Sequence, residues 1–163
     1  MKIFGVVGWK NSGKTGLIER LVSVFAVRGL SVSTMKHAHH SLDVDHPGRD
    51  SHRHRAAGAH QVLVSGGQRW VLMSELHGAP EAPLDALLTQ LSPVDLVLIE
   101  GWKAAEHPKV ECFRAEAGHD LIAPHTPTIR VIAADCDVVA DVPVLALDDT
   151  CVIADFITAK VGL

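Results

Sequence analysis

Residues 8–15 read Gly8-Trp9-Lys10-Asn11-Ser12-Gly13-Lys14-Thr15, preceded by the apolar run KIFGVVG (2–8) and followed by a helical stripe. The octet meets G-x-x-x-x-G-K-[ST] at every required position, in the strand–loop–helix setting that this pattern needs. Gly8 and Gly13 permit backbone geometry that a side chain would block. Successive N–H groups then face a phosphate, and the start of the helix adds favourable partial charge. Lys14 is expected to reach the outer phosphates and to stabilise their charge during hydrolysis, and the Thr15 hydroxyl to ligate Mg²⁺. Asn11, Ser12 and Gly16 complete the expected nucleotide contact. Lys10 adds a cation for a phosphate, a partner subunit or solvent.

Outward from the octet, strand-length apolar runs alternate with helical patterns. Leu17, Ile18, Leu21, Val22 and Phe25 share one stripe of a helix over 14–28, which Gly29 ends. Residues 31–36, 94–99, 129–134 and 142–147 read as further strands. Helices are expected near 49–57, over 84–91 and over 149–161. Gly66-Gly67 separates two apolar runs, 61–65 and 69–74, as a hairpin turn would. Residues 103–128 carry few periodic cues and receive no element. The expectation is one α/β domain spanning 1–163, a P-loop NTPase-type three-layer fold with a mostly parallel sheet covered by helices on both faces.

Composition narrows the classes. The 163 residues include 15 Lys+Arg and 19 Asp+Glu, a net charge of −4, with 47% apolar and 21% charged residues. That is ordinary globular usage. The mild acidity argues against nucleic acid as a partner, because phosphate neutralisation needs a basic face. No apolar run reaches the ~18 residues of a membrane span. Cys112, Cys136 and Cys151 are odd in number and match no metal spacing, so reduced thiols in a cytoplasmic protein are expected.

A second acid should complete the Mg²⁺ site, since this ion takes hard oxygen ligands. The apolar run VDLVLI ends in Glu100, the expected ligand of the metal or its water. Asp95, at the start of that run, should lie at the far end of the sheet. Seven of the 11 histidines (His37, His39, His40, His46, His52, His54 and His60) fall within 37–60, among Asp43, Asp45, Asp50, Arg49, Arg53 and Arg55. Three readings stay open: a ligand-responsive loop at the sheet's carboxyl edge, a transition-metal site, or a solvated polar loop. The only asparagine, Asn11, lies in the phosphate loop, so the N-K-x-D device for guanine is absent. A carboxylate can read guanine through its N1–H and N2–H₂ donors, and Asp135 is the expected reader, with Asp137 of suitable type.

Three stretches, GWKNSGKTGLIERL (8–21), MKHAHHSLDVDHPGRDSHRHRAAGA (35–59) and DLVLIEGWKAAEHPKVE (95–111), resemble the molybdopterin-guanine dinucleotide biosynthesis adaptor protein B (MobB) family in order and spacing. Gly16 stands where a second threonine is usual. The resemblance implies a homodimeric GTP-binding protein with weak GTPase activity. Its implied role is to assist the guanylyltransferase that joins GMP to molybdopterin, yielding the guanine dinucleotide form of the molybdenum cofactor. It also implies that Asp45, His46 and Asp50 lie near the γ-phosphate or the pterin. Two other classes share the same motifs: a small-molecule kinase using Asp43, Asp45 or Asp50 as general base, and a metal-delivery GTPase using the histidines.

Overall fold

The computed structural model describes residues 1–38 and 43–163. In chain order the elements are β1 (Lys2–Val7), α1 (Lys14–Val27), β2 (Val32–Lys36), α2 (Asp50–Ala56), β3 (Gln61–Ser65), β4 (Trp70–Ser74), α3 (Leu84–Leu88), β5 (Leu96–Glu100), β6 (Lys109–Phe113), β7 (Ile129–Ala134), β8 (Val144–Ala146) and α4 (Thr150–Val161). They fall into two compact units, 1–38 with 92–163, and 39–91.

The larger unit is a six-stranded sheet of order β2-β5-β1-β6-β7-β8 in which every pairing is parallel. Parallel strands buried on both faces are built from continuous apolar runs, and LVLIE of β5 buries Leu96, Val97, Leu98 and Ile99 completely. On one face Phe4, Val6, Leu98, Val110 and Val131 meet Leu17, Leu21 and Phe25 of α1 and Ile153 and Ile157 of α4. Truncating such a residue, Leu21→Ala for example, costs about 2–5 kcal/mol. α1 stops where glycine allows: Gly29 has φ +80°, its N–H donates to Ala26 O, and the Leu30 N–H donates to Phe25 O. α4 starts on Asp149, whose carboxylate accepts the Val152 N–H.

Both α-helices of this unit share one face. On the other face Val7 packs with Ile122, Ile129 and Ala123, so part of the cover comes from the short 3₁₀ turn Ala123–His125 and the residue before it. The segment without periodic cues also contains a strand, β6, directly beside β1. β5 begins at Leu96 because the Asp95 carboxylate is taken up by the Ser31 N–H and hydroxyl at the amino edge.

The smaller unit holds the antiparallel β3–β4 hairpin, with Leu63 opposite Leu72 and its turn closed by the Gly66 N–H on Arg69 O. α2 packs against β3. Leu63, Val64, Trp70, Val71 and Leu72 of the hairpin are exposed. Among the described residues, no helix is long and apolar enough to cross a membrane.

Candidate functional site: a phosphate loop at the carboxyl edge

The chain turns one way from β1 and the other way from β5, so the end of β1 is the switch point of the sheet, where open α/β folds hold ligands. Gly8 follows β1 with φ +150°, and a Cβ there would sit 2.4 Å from Ser12 Oγ and 2.6 Å from the Cys112 carbonyl oxygen. Only glycine fits. Gly13, at φ +91°, caps α1. Asn11 takes φ +64°, a left-handed conformation that asparagine tolerates better than other side chains, which explains the sole asparagine of the chain.

The loop is held at its crest and open at its floor. The Trp9 carbonyl accepts the Lys14 ammonium at 2.6 Å and the Ser12 N–H at 3.3 Å. The Trp9 indole N–H donates to Asp120 O at 2.8 Å, its ring lies 5.2 Å from that of His119, and the Lys103 ammonium sits 3.8 Å from the ring centre. Ser12 Oγ is buried without a hydrogen-bond partner among the described residues. Orphaned polar groups of this kind suit a loop that receives a polar ligand. Burial lowers the Lys14 pKa below the usual lysine value, against the pull of Glu100 and with the push of Lys103 and Lys36. Lys10 and Asn11 are exposed, and Gly16 lies in the first turn of α1.

Glu100 ends β5 with its side chain 13% exposed. Both of its carboxylate oxygens lie 3.5 Å from Thr15 Oγ1. Adjacent oxygens around Mg²⁺ are separated by roughly 3 Å, given Mg–O bonds near ~2.1 Å, so this pair fits the ion after a small adjustment. Lys36 was not anticipated from sequence. It stands opposite Glu100 in the β2–β5 register, and its ammonium lies 3.3 Å from Glu100 Oε1. The Glu100–Gly101–Trp102 corner packs on His37: a Cβ on Gly101 would lie 3.0 Å from His37 Cβ, and the Trp102 and His37 rings are 4.7 Å apart.

At the ends of β7 and β8 an open cavity of about 620 Å³ is lined by Asp135, Asp137, Leu147 and Asp148 among others. Asp135, the expected base reader, lies there, and its Oδ1 accepts the Ala115 N–H at 3.0 Å. Arg114, also missed from sequence, stands against Gly13.

In the smaller unit, Asp45 Oδ1 accepts the His46 N–H and the Ser51 hydroxyl, and Oδ2 lies 3.3 Å from Arg55. Burial pushes the Asp45 pKa up, but these hydrogen bonds outweigh it and hold the carboxyl below its usual range. Arg55 also binds Asp43 at 2.9 Å and Glu75 at 2.5 Å, so it is committed to this cluster. Asp50 is exposed in the first turn of α2, 3.8 Å from Arg53. His39 and His40 lie outside the described residues. Among the described residues, no group of three or more His, Cys, Asp or Glu side chains is placed to hold a metal ion. Cys112 is buried, which pushes its thiol up to about 12, and Cys136 and Cys151 are exposed and free.

A strand, a glycine-built loop and a helix at the switch point of a parallel sheet define an α/β protein of the P-loop NTPase type. The family described as MobB, molybdopterin guanine dinucleotide synthesis protein B, matches residues 3–136, and the chain belongs to that family. A protein of Escherichia coli (strain K12), named molybdopterin-guanine dinucleotide biosynthesis adapter protein, is 36% identical over 160 residues, 95% of this chain and 90% of that protein. The crystal structure of Bacillus subtilis MobB superposes with a TM-score of 0.76 at 28% identity, covering 99% of this chain and 98% of that one. The MobB homolog of Bacillus stearothermophilus gives 0.72 at 28% identity, with 99% of each chain covered.

Proposed function

We propose that this chain is a GTP-binding adaptor in molybdopterin guanine dinucleotide biosynthesis. It would assist the guanylyltransferase acting on molybdopterin, and its own GTP hydrolysis would be slow. The observation that carries this reading is the glycine loop with Lys14 at its floor and the Thr15–Glu100 oxygen pair beside it. That arrangement stands on a chain whose relatives bear the adapter name.

Lys14 releases the Trp9 carbonyl and turns its ammonium to the outer phosphates, while the loop N–H groups and Ser12 Oγ take phosphate oxygens. Thr15 Oγ1 and the Glu100 carboxylate would hold Mg²⁺, which would supply charge neutralisation on the phosphates. Lys36 is then free to leave Glu100 for an anion. The guanine lies in the cavity beyond β7, where the second oxygen of Asp135 and the carboxylate of Asp137 accept its N1–H and N2–H₂. Of the three candidate bases of the kinase reading, Asp45 is already engaged by Ser51 and Arg55 and Asp43 by Arg55. The exposed apolar side chains of the β3–β4 hairpin support a homodimer, because such surface favours a partner over water.

The test is a reconstituted conversion of molybdopterin cofactor to its guanine dinucleotide by the guanylyltransferase, with Mg²⁺ and GTP. Added wild-type chain raises the yield and Lys14→Ala does not. Equal stimulation by both proteins would overturn the reading.

A further inference from the structure

We infer that Arg114 is a second built-in cation of the nucleotide site, gripping the phosphate nearest the nucleoside. This inference rests on the nucleotide-binding reading of the loop. Arg114 is the first residue beyond β6, the strand that pairs with β1. A Cβ built on Gly13 would lie 3.1 Å from Arg114 Nε and 3.6 Å from Nη2. The guanidinium therefore rests against the residue that caps α1, where backbone N–H groups collect an anion.

Arg114 is largely uncommitted within the described residues. Its Nε is buried with no hydrogen-bond partner. Its Nη1 lies 3.6 Å from Glu116, whose side chain is 78% exposed. A buried guanidinium donor without an acceptor is costly, and a phosphate oxygen is the acceptor that its planar fork fits best.

The position also fixes which phosphate. The other neighbour of Gly13 is Leu147 Cδ2, at 3.3 Å, and Leu147 lines the cavity beyond β7 and β8. Thr15, Glu100 and Lys36 gather on the β5 side of β1 instead. The loop thus has a metal end and a cavity end, and Arg114 stands at the cavity end. Asp135 is a positioning residue here: its hydrogen bond to the Ala115 N–H fixes the backbone that carries Arg114.

The experiment is calorimetric titration of GTP and GDP, with Mg²⁺, into wild type, Arg114→Ala and Arg114→Lys, alongside melting of each free protein. Arg114→Ala is expected to weaken both nucleotides by about tenfold to a hundredfold, the size of one charge-assisted hydrogen-bonded contact. Its free-protein melting temperature should not fall far below the wild-type value, since the weak ion pair with exposed Glu116 is lost together with an unsatisfied buried donor. Arg114→Lys keeps the charge and stem without the fork and should bind with intermediate affinity, which serves as the reading if the alanine variant does not fold. Affinities within twofold of wild type in both variants would overturn the role of Arg114 alone. A wild-type protein that binds neither nucleotide would instead overturn the nucleotide-binding reading.

Discussion

β1 and β6 lie side by side in one parallel sheet, with Val6 opposite Val110, yet they are built from opposite materials. β1 buries Phe4, Val6 and Val7. β6 buries Lys109 and Glu111 as completely as Val110 and Cys112. The charges survive because loops satisfy them. The Lys109 ammonium donates to the carbonyls of Ala105 and His107 and to the Thr128 hydroxyl, and Glu111 accepts the N–H groups of Ile122 and Ala123 at 2.8 Å each. Gly5 of β1 makes the room: a Cβ there would lie 2.7 Å from Lys109 Cγ and from His107 Nε2. One strand launches the phosphate loop. The other pins residues 103–128, which hold Trp9 through Asp120 and Lys103 and deliver Arg114. Apolar burial builds the floor of the site, and buried charge ties down its wall.

Removing the tie should have the largest effect on stability. Glu111→Ala strands two N–H groups and should cost roughly 2–6 kcal/mol in urea unfolding, at about 1–3 kcal/mol for each unsatisfied group. A loss below about 1 kcal/mol would mean that Glu111 holds nothing. Next comes the space that β1 yields to β6. Gly5→Ala pushes a methyl into Lys109 and His107 and should destabilise by about 1–3 kcal/mol. By contrast, a Cβ on Gly16 meets only Arg20 Nη1, at 3.6 Å. Gly16→Ala should therefore stabilise α1 by about 0.5–1 kcal/mol, which thermal melting of the two alanine variants would read with opposite signs.

The pH dependence sharpens the same contrast more gently. Burial pushes His107 down to about 4 and Lys109 down to about 8. Between pH 4 and 6.5 the unfolded chain binds the His107 proton and the folded one does not, so this group makes stability fall as pH falls through that window. Lys109 acts likewise at the alkaline end, with stability rising from pH 8 to 10.5. Glu111, its pKa raised chiefly by burial, opposes the histidine in acid. The informative quantity is therefore the difference between wild type and His107→Asn: the wild type should lose more stability from pH 6.5 to 4. Parallel curves would contradict it.

The same contrast explains what could be read in advance. The phosphate loop, the α1 stripe and the β3–β4 hairpin were legible because their signals are local: fixed glycines, apolar residues at helical spacing, and a Gly-Gly turn between two apolar runs. β6 was not, because Lys109 and Glu111 break the apolar run by which a buried strand is recognised. Glu100 could be singled out as a strand-end acid. Lys36 could not, since its meaning depends on the β2–β5 register that places it opposite Glu100. Arg114 was lost with the strand that carries it. Asp135 is marked in the sequence by its position after β7, but its contact with Ala115 links segments that no local pattern connects.

The most direct test of the account is a titration of Mg²⁺·GTP into the wild-type chain and into Lys14→Ala. Saturable binding to the wild-type protein is expected, with a loss of at least about a hundredfold in the variant, as removal of a half-buried cation from a phosphate site implies. Equal GTP affinity in the two proteins would contradict it.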